Sequence, residues 1–307
     1  MQAYRVQSVK EEAHSDGVWS VAWSKGSLIT GSVDASIKIW KGEALENSQT
    51  FDGHRLGVIS VVTEKSGKYA CSSSMDSMIR VWDLSKGTAV NTIEAAPAWT
   101  LDFSPDGRFI ATGSQVNKCH RSANTGSVNV YGVESGKIEQ SFDIQKKTFI
   151  LTVAYSPNGR YLAAGGQDGS VAIFDVATSV KTSLEGHSMS VRSVAFTTDS
   201  ERLLTASDDK HINVYDVKQG ALIKTLSGHG SFVLSLDVSP TGLTFASSST
   251  DRQIKIWELS TLECIHTFEE HKDQVWDIAY DETGAKLASV SDDHSIRVYT
   301  CPTDTSK

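Results

Sequence analysis

The sequence predicts an all-β fold, a seven-bladed β-propeller in which the N-terminal strand completes the last blade, and three observations carry that prediction. A short apolar segment ending in an aromatic residue recurs seven times, each recurrence carries four short alternating runs, and no stretch shows a helical period. The recurring segments are ASIKIW, SMIRVW, GSVNVY, GSVAIF, KHINVY, RQIKIW and HSIRVY, ending at Trp40, Trp82, Tyr131, Phe174, Tyr215, Trp257 and Tyr299. Their successive spacings are 42, 49, 43, 41, 42 and 42 residues.

The elements of one unit follow in order. A first run such as VWSVAW, VRSVAF or VWDIAY alternates with the period of a half-buried strand. A turn such as SPDG, SPNG, SPTG or DETG comes next, and Pro in second place with Gly in fourth suits a type I turn. A second run such as FIATGS or RLLTAS follows, then the aromatic-ended segment, then an outer run such as KIEQSF. A four-stranded unit cannot bury both its faces alone, so seven of them close most economically into a ring. Tyr4 to Lys10, YRVQSVK, is expected to pair with the C-terminal strands as the outer strand of the seventh blade, removing an exposed edge. No linker or low-complexity segment interrupts residues 1–307, which predicts a single domain.

Composition narrows the function classes. A net charge of −8 argues against a general phosphate-binding surface, so direct nucleic-acid binding is not expected. No apolar run reaches membrane-spanning length, and MQAYRVQSVK lacks the apolar centre of a secretory signal. Cys71, Cys119, Cys264 and Cys301 are scattered without metal-site spacing, which fits buried thiols in a reducing compartment. The 49-residue spacing places an insertion in QVNKCHRSANTG, where Lys118, Cys119, His120 and Arg121 read as a loop, because one Cys and one His fall short of a zinc site.

Five units carry His, Ser and Asp at fixed offsets: His14, Ser32, Asp34; His54, Ser74, Asp76; His187, Ser207, Asp209; His229, Ser249, Asp251; and His271, Ser291, Asp293. Catalytic sites are single, so five copies predict a structural role, with no catalytic residue, metal or cofactor expected. With the GH dipeptides and the terminal Trp, these sets resemble the WD-repeat family, in which His, Ser, Asp and Trp hydrogen-bond within each blade. By that resemblance the blades ending at Trp40, Trp82 and Trp257 are complete. Blades 3 and 4 lack the His, carry Thr125 and Gly166 at the Asp and Ser positions respectively, and are expected to rest on apolar packing.

A finer resemblance is carried by AWTLDFSPDGRFIATGS, YGVESGKIEQSF, FILTVAYSPNGRYLAAGGQDG, LSGHGSFVLSLD and HTFEEHKDQVWDIAY, which look like the WD-repeat subunits of superkiller (Ski) complexes. It implies a non-catalytic, monomeric scaffold in the cytoplasm and nucleus. The implied partners are a tetratricopeptide-repeat protein and an RNA helicase that feed RNA to the exosome, together with subunits of the polymerase-associated factor (Paf) complex. A ubiquitin-ligase substrate receptor or a histone-tail reader is the competing reading.

The candidate partner-binding residues come from aligning the innermost strands. Trp19, Ile59, Trp99, Leu151, Arg192, Leu234 and Trp276 share one position, at the expected mouth of the channel. Gly17, Gly57, Pro97, Phe149, Ser190, Phe232 and Gln274 lie two residues earlier, and Phe149 and Phe232 add apolar area. Exposed aromatic and Arg side chains dominate interface hot spots, so this rim is the expected contact, with Asp208, Asp273 and Asp292 offered to a basic group.

Overall fold

The computed structural model describes residues 3–95, 98–114, 126–145 and 147–302. These form 28 strands in seven four-stranded antiparallel sheets, with no helix among the described residues. The innermost strands are Val18–Ser24, Val58–Thr63, Leu101–Phe103, Ile150–Tyr155, Val191–Phe196, Val233–Val238 and Val275–Tyr280. Each touches the next around a full circle, the last meeting the first. The third is half the length of most others, and Trp99 precedes it instead of lying inside it.

Strand alternation gives each sheet two apolar faces, and each face packs on the neighbouring blade. The seven core clusters accordingly straddle the seven blade interfaces. One joins Ile29, Ile37 and Phe51 of blade 1 to Val58, Val61 and Trp82 of blade 2. Another joins Val128, Phe142 and Ile144 of blade 3 to Ile150, Leu162 and Phe174 of blade 4, with the Phe142 and Phe174 rings 5.1 Å apart.

The predicted turns form. Gly107, Gly159, Gly242 and Gly284 sit at φ between 70° and 73°, each donating its N–H to the carbonyl three residues back at 2.8 to 3.0 Å. That left-handed conformation is why Gly stands fourth in these turns.

The ring closes as expected. Arg5–Lys10 pairs with Ile296–Thr300 from Arg5↔Thr300 to Lys10↔Ile296, with a bulge between Val6 and Ser8. Deleting residues 1–10 should strip the partner from Ile296–Thr300 and leave an unpaired edge strand. Light scattering and thermal melting should register self-association and a lower melting temperature. A truncated chain that melts with the full-length one would show that this strand does not hold the ring.

The polar sets are structural, but their wiring differs from the expectation in one respect. His Nδ1 meets the turn Asp at 2.8 to 3.0 Å in all five blades. His Nε2, however, meets Thr30, Ser72, Thr205, Ser247 and Ser289, each two residues before the predicted Ser. Trp40, Trp82 and Trp257 donate their indole N–H to the same Thr30, Ser72 and Ser247 hydroxyls at 2.8 Å. A carboxylate only accepts, so His Nδ1 carries the proton and Nε2 accepts from the hydroxyl that the indole has already supplied. In these three blades the result is a hydrogen-bonded chain from Trp through Ser or Thr and His to Asp.

The predicted Ser residues cap the turn instead. Ser32, Ser74, Ser207, Ser249 and Ser291 accept the backbone N–H of the turn Asp at 3.0 to 3.1 Å. Residues i and i+2 share a strand face, but only the inner one lies under the indole; the other ends the strand. Blade 4 keeps a shorter link, Thr148 Oγ1 to Asp168 Oδ1 at 2.8 Å, in the place of the missing His. Thr125 and the Lys118 to Arg121 loop lie outside the described residues.

Candidate partner-binding face

The channel mouth is built from one repeated position. Val18, Val58, Ala98, Ile150, Val191, Val233 and Val275 are wholly buried between blades, so alternation turns the following residue toward the centre. Those following residues, Trp19, Ile59, Trp99, Leu151, Arg192, Leu234 and Trp276, all line one central cavity of about 630 Å³.

They are not equally open. Ile59, Leu151 and Leu234 are only 6 to 8% exposed. Trp19, Trp99, Arg192 and Trp276 are half-buried, as is Phe149, and Phe232 is exposed. The open surface of the rim is therefore carried by the larger side chains, whose area exceeds what the walls cover. Pro97 lies outside the described residues.

Trp19 and Trp276 form a tilted pair across the junction of blades 1 and 7, with ring centroids 5.3 Å apart. The Trp19 indole N–H donates to Asp292 Oδ1 at 3.2 Å, and Gln274 Nε2 donates to Asp292 Oδ2 at 2.6 Å. Gly17 makes room for this arrangement, because a side chain there would collide with the Asp292 carboxylate. Trp276 Nε1 is buried and makes no hydrogen bond. A buried indole N–H without an acceptor is a cost to the fold.

Two of the three acidic residues are already engaged. Asp208 is buried and held in a two-pronged ion pair by Arg192, Nε to Oδ1 and Nη2 to Oδ2 both at 2.8 Å. Asp292 has both oxygens taken up by Trp19 and Gln274. Asp273 is the most exposed of the three, with its Oδ1 accepting the Gln274 N–H at 2.8 Å. The free acidity expected on this face thus shrinks to one residue, because the other two orient the rim itself.

Three residues are not apparent from the sequence reading. Leu56, Met75 and Met189 are 52, 40 and 45% exposed in the loops beside Phe232's equivalents. Leu56 and Met189 each stand two residues after a blade His, and an apolar residue in such a loop is the available signal.

Below the mouth, the inner strands are stitched to one another. Ser20, Thr100 and Ser193 accept the Val61, Val153 and Leu236 N–H groups of the next blade at 2.9 to 3.1 Å. Asp277 does the same for Val21 at 3.0 Å, closing blade 7 onto blade 1. Among the described residues no cluster of His, Cys, Asp and Glu is placed to hold a metal ion. Each blade His is sealed from solvent, with side-chain exposure of 1% or less. The five His–Asp pairs therefore brace the blades.

Seven four-stranded sheets in a closed ring, braced by a sealed and repeated polar frame, define a repeat β-propeller. Residues 136–175, 178–216, 220–258 and 262–300 match the family described as WD domain, G-beta repeat. Residues 2–124 match the description eukaryotic translation initiation factor eIF2A. The chain is 40% identical over 230 residues to WD repeat-containing protein SL1-17 of Schistosoma mansoni, covering 72% of this chain and 73% of that protein. It is 36% identical over 215 residues to WD repeat-containing protein VIP3 of Arabidopsis thaliana, covering 63% and 64%. Meiotic recombination protein rec14 of Schizosaccharomyces pombe is 31% identical over 225 residues, 71% of each chain. The chain belongs to the WD-repeat family, whose propellers serve as scaffolds for protein–protein interaction.

Proposed function

We propose that the chain is a non-catalytic scaffold subunit of a superkiller complex, acting in the cytoplasm in exosome-mediated 3′ to 5′ RNA decay, and a subunit of the Paf complex in the nucleus. The observation that carries a scaffold role is the half-buried Trp19–Trp276 pair at the channel mouth. The choice of complex rests on the resemblance of five segments, from AWTLDFSPDGRFIATGS to HTFEEHKDQVWDIAY. In this reading residues 1–307 act as one domain, and a tetratricopeptide-repeat scaffold places an apolar anchor on Trp19, Trp276, Phe232 and Leu234. Asp273 is free to meet a basic group beside that anchor.

Affinity purification of the tagged chain from cell extract tests the assignment. Recovery of the tetratricopeptide scaffold with the RNA helicase, or of Paf subunits, is the expected result. Cullin adaptors or histones in their place would overturn it in favour of a ligase receptor or a histone reader.

A further inference from the structure

Three carboxyls face the channel below its aromatic mouth, and the ring is sewn together through them. Asp277 Oδ2 accepts from Ser20 Oγ and the Val21 N–H of blade 1, both at 3.0 Å, while its Oδ1 accepts from Ser235 Oγ of blade 6 at 2.7 Å. Asp237 Oδ2 accepts the Tyr280 N–H of blade 7 at 2.6 Å. Asp102 Oδ2 accepts the Tyr155 N–H of blade 4 at 2.7 Å. Each carboxyl therefore ties one blade to the next.

Among the described residues no opposite charge balances them. Among those residues, the charged groups facing the channel from its walls are these three, Asp281 and Glu282 at the far mouth, and Arg192 at the near mouth, whose guanidinium is spent on Asp208. The titratable groups beside them are the phenols of Tyr155 and Tyr280, which burial keeps neutral. Facing the channel without a cation disfavours a carboxylate against its neutral form, while the hydrogen bonds it accepts act the other way.

We propose that Asp102, Asp237 and Asp277 form a proton-sensitive girdle that couples the closure of the ring to pH. Protonation leaves each carbonyl oxygen free to accept its cross-blade N–H and removes the repulsion between carboxylates. Enclosure pushes Asp102 and Asp237 from an ordinary 3.8 up to about 7, with Asp277 and Asp102 adding repulsion at Asp237. Enclosure raises Asp277 as well. Groups raised on folding stabilise the fold fully below their unfolded value, and that stabilisation is lost as pH rises through about 7.

The blade histidines pull the other way. Burial lowers His14, His54 and His187, so they favour the fold above their ordinary 6.5 and cease to as pH falls. The girdle is therefore read from a difference between variants, which leaves the histidine contribution common to both. Urea unfolding of the full chain is measured at pH 6 and pH 8 for the wild type, Asp102→Asn and Asp237→Asn. Between those pH values each raised carboxyl contributes a factor of about ten to the unfolding constant. Each Asn variant, which keeps an oxygen acceptor but cannot ionise, should lose that factor, being relatively more stable at pH 8.

A second readout covers variants that fail to fold. In the wild type labelled with ¹³C at the Asp carboxyls, NMR titration should show carboxyl carbons with midpoints near neutrality. Asn variants that retain the wild-type pH slope, or a wild type whose Asp carboxyls all titrate in the ordinary acidic range, would overturn the proposal.

Discussion

Trp276→Ala is expected to weaken binding of the tetratricopeptide scaffold by about 2 kcal/mol or more, roughly thirtyfold in Kd. The half-buried indole offers a large apolar face, so a docked segment gains buried area. Stability should change less, because the fold gives up chiefly the tilted pairing with Trp19, an arrangement of rings worth about 1 kcal/mol. Trp276→Phe keeps most of that area and should retain most of the affinity. Ile59→Ala serves as a comparison from the same ring, since Ile59 is 6% exposed and should lower the melting temperature more than the affinity. Calorimetric titration of each folded variant with the purified scaffold makes the measurement. Wild-type affinity for Trp276→Ala and Trp19→Ala would remove this rim from the interface.

How far the sequence reveals this molecule depends on whether the signal is local. Strand period, turn chemistry and the recurrence of IKIW-like segments are local, and the ring with its N-terminal closure follows from them. The hydroxyl partner of each blade His is not local information, because Thr30 and Ser32 look equally suited in a string of letters. Only the strand's end, which puts Ser32 into the turn and Thr30 beneath Trp40, tells them apart. The rim position is legible by alignment, whereas its occupancy is not. Arg192 and Asp208 are 16 residues apart and meet only because adjacent strands of one blade bring them together. The girdle carboxyls stay hidden for a related reason. Asp277 stands in a column otherwise filled by Ser20, Ser60, Thr100, Thr152, Ser193 and Ser235, and its exceptional charge matters only once the column faces the central channel.

The polar frame supplies the other large effect. Asp251→Ala should destabilise the fold by about 1 to 3 kcal/mol near neutral pH, since it removes the acceptor of His229 Nδ1 and of the Gly230 and Gln253 N–H groups. Burial alone would raise the Asp251 carboxyl, but its bonds to His229 and these amides outweigh burial and bring it down to about 2. A carboxyl lowered on folding stabilises the fold above its unfolded value and ceases to as pH falls through about 2. The gap between wild type and Asp251→Ala should therefore narrow in acid, where the wild type gives up the same contribution. Ser247→Ala is the sharper test of the wiring. It leaves both His229 Nε2 and Trp257 Nε1 buried without a partner, whereas Ser249→Ala unpairs only the Asp251 N–H. Chemical denaturation should rank Ser247→Ala as the more costly of the two. An inverted ranking would mean that the chain from Trp257 through Ser247 to His229 is not what braces the sixth blade.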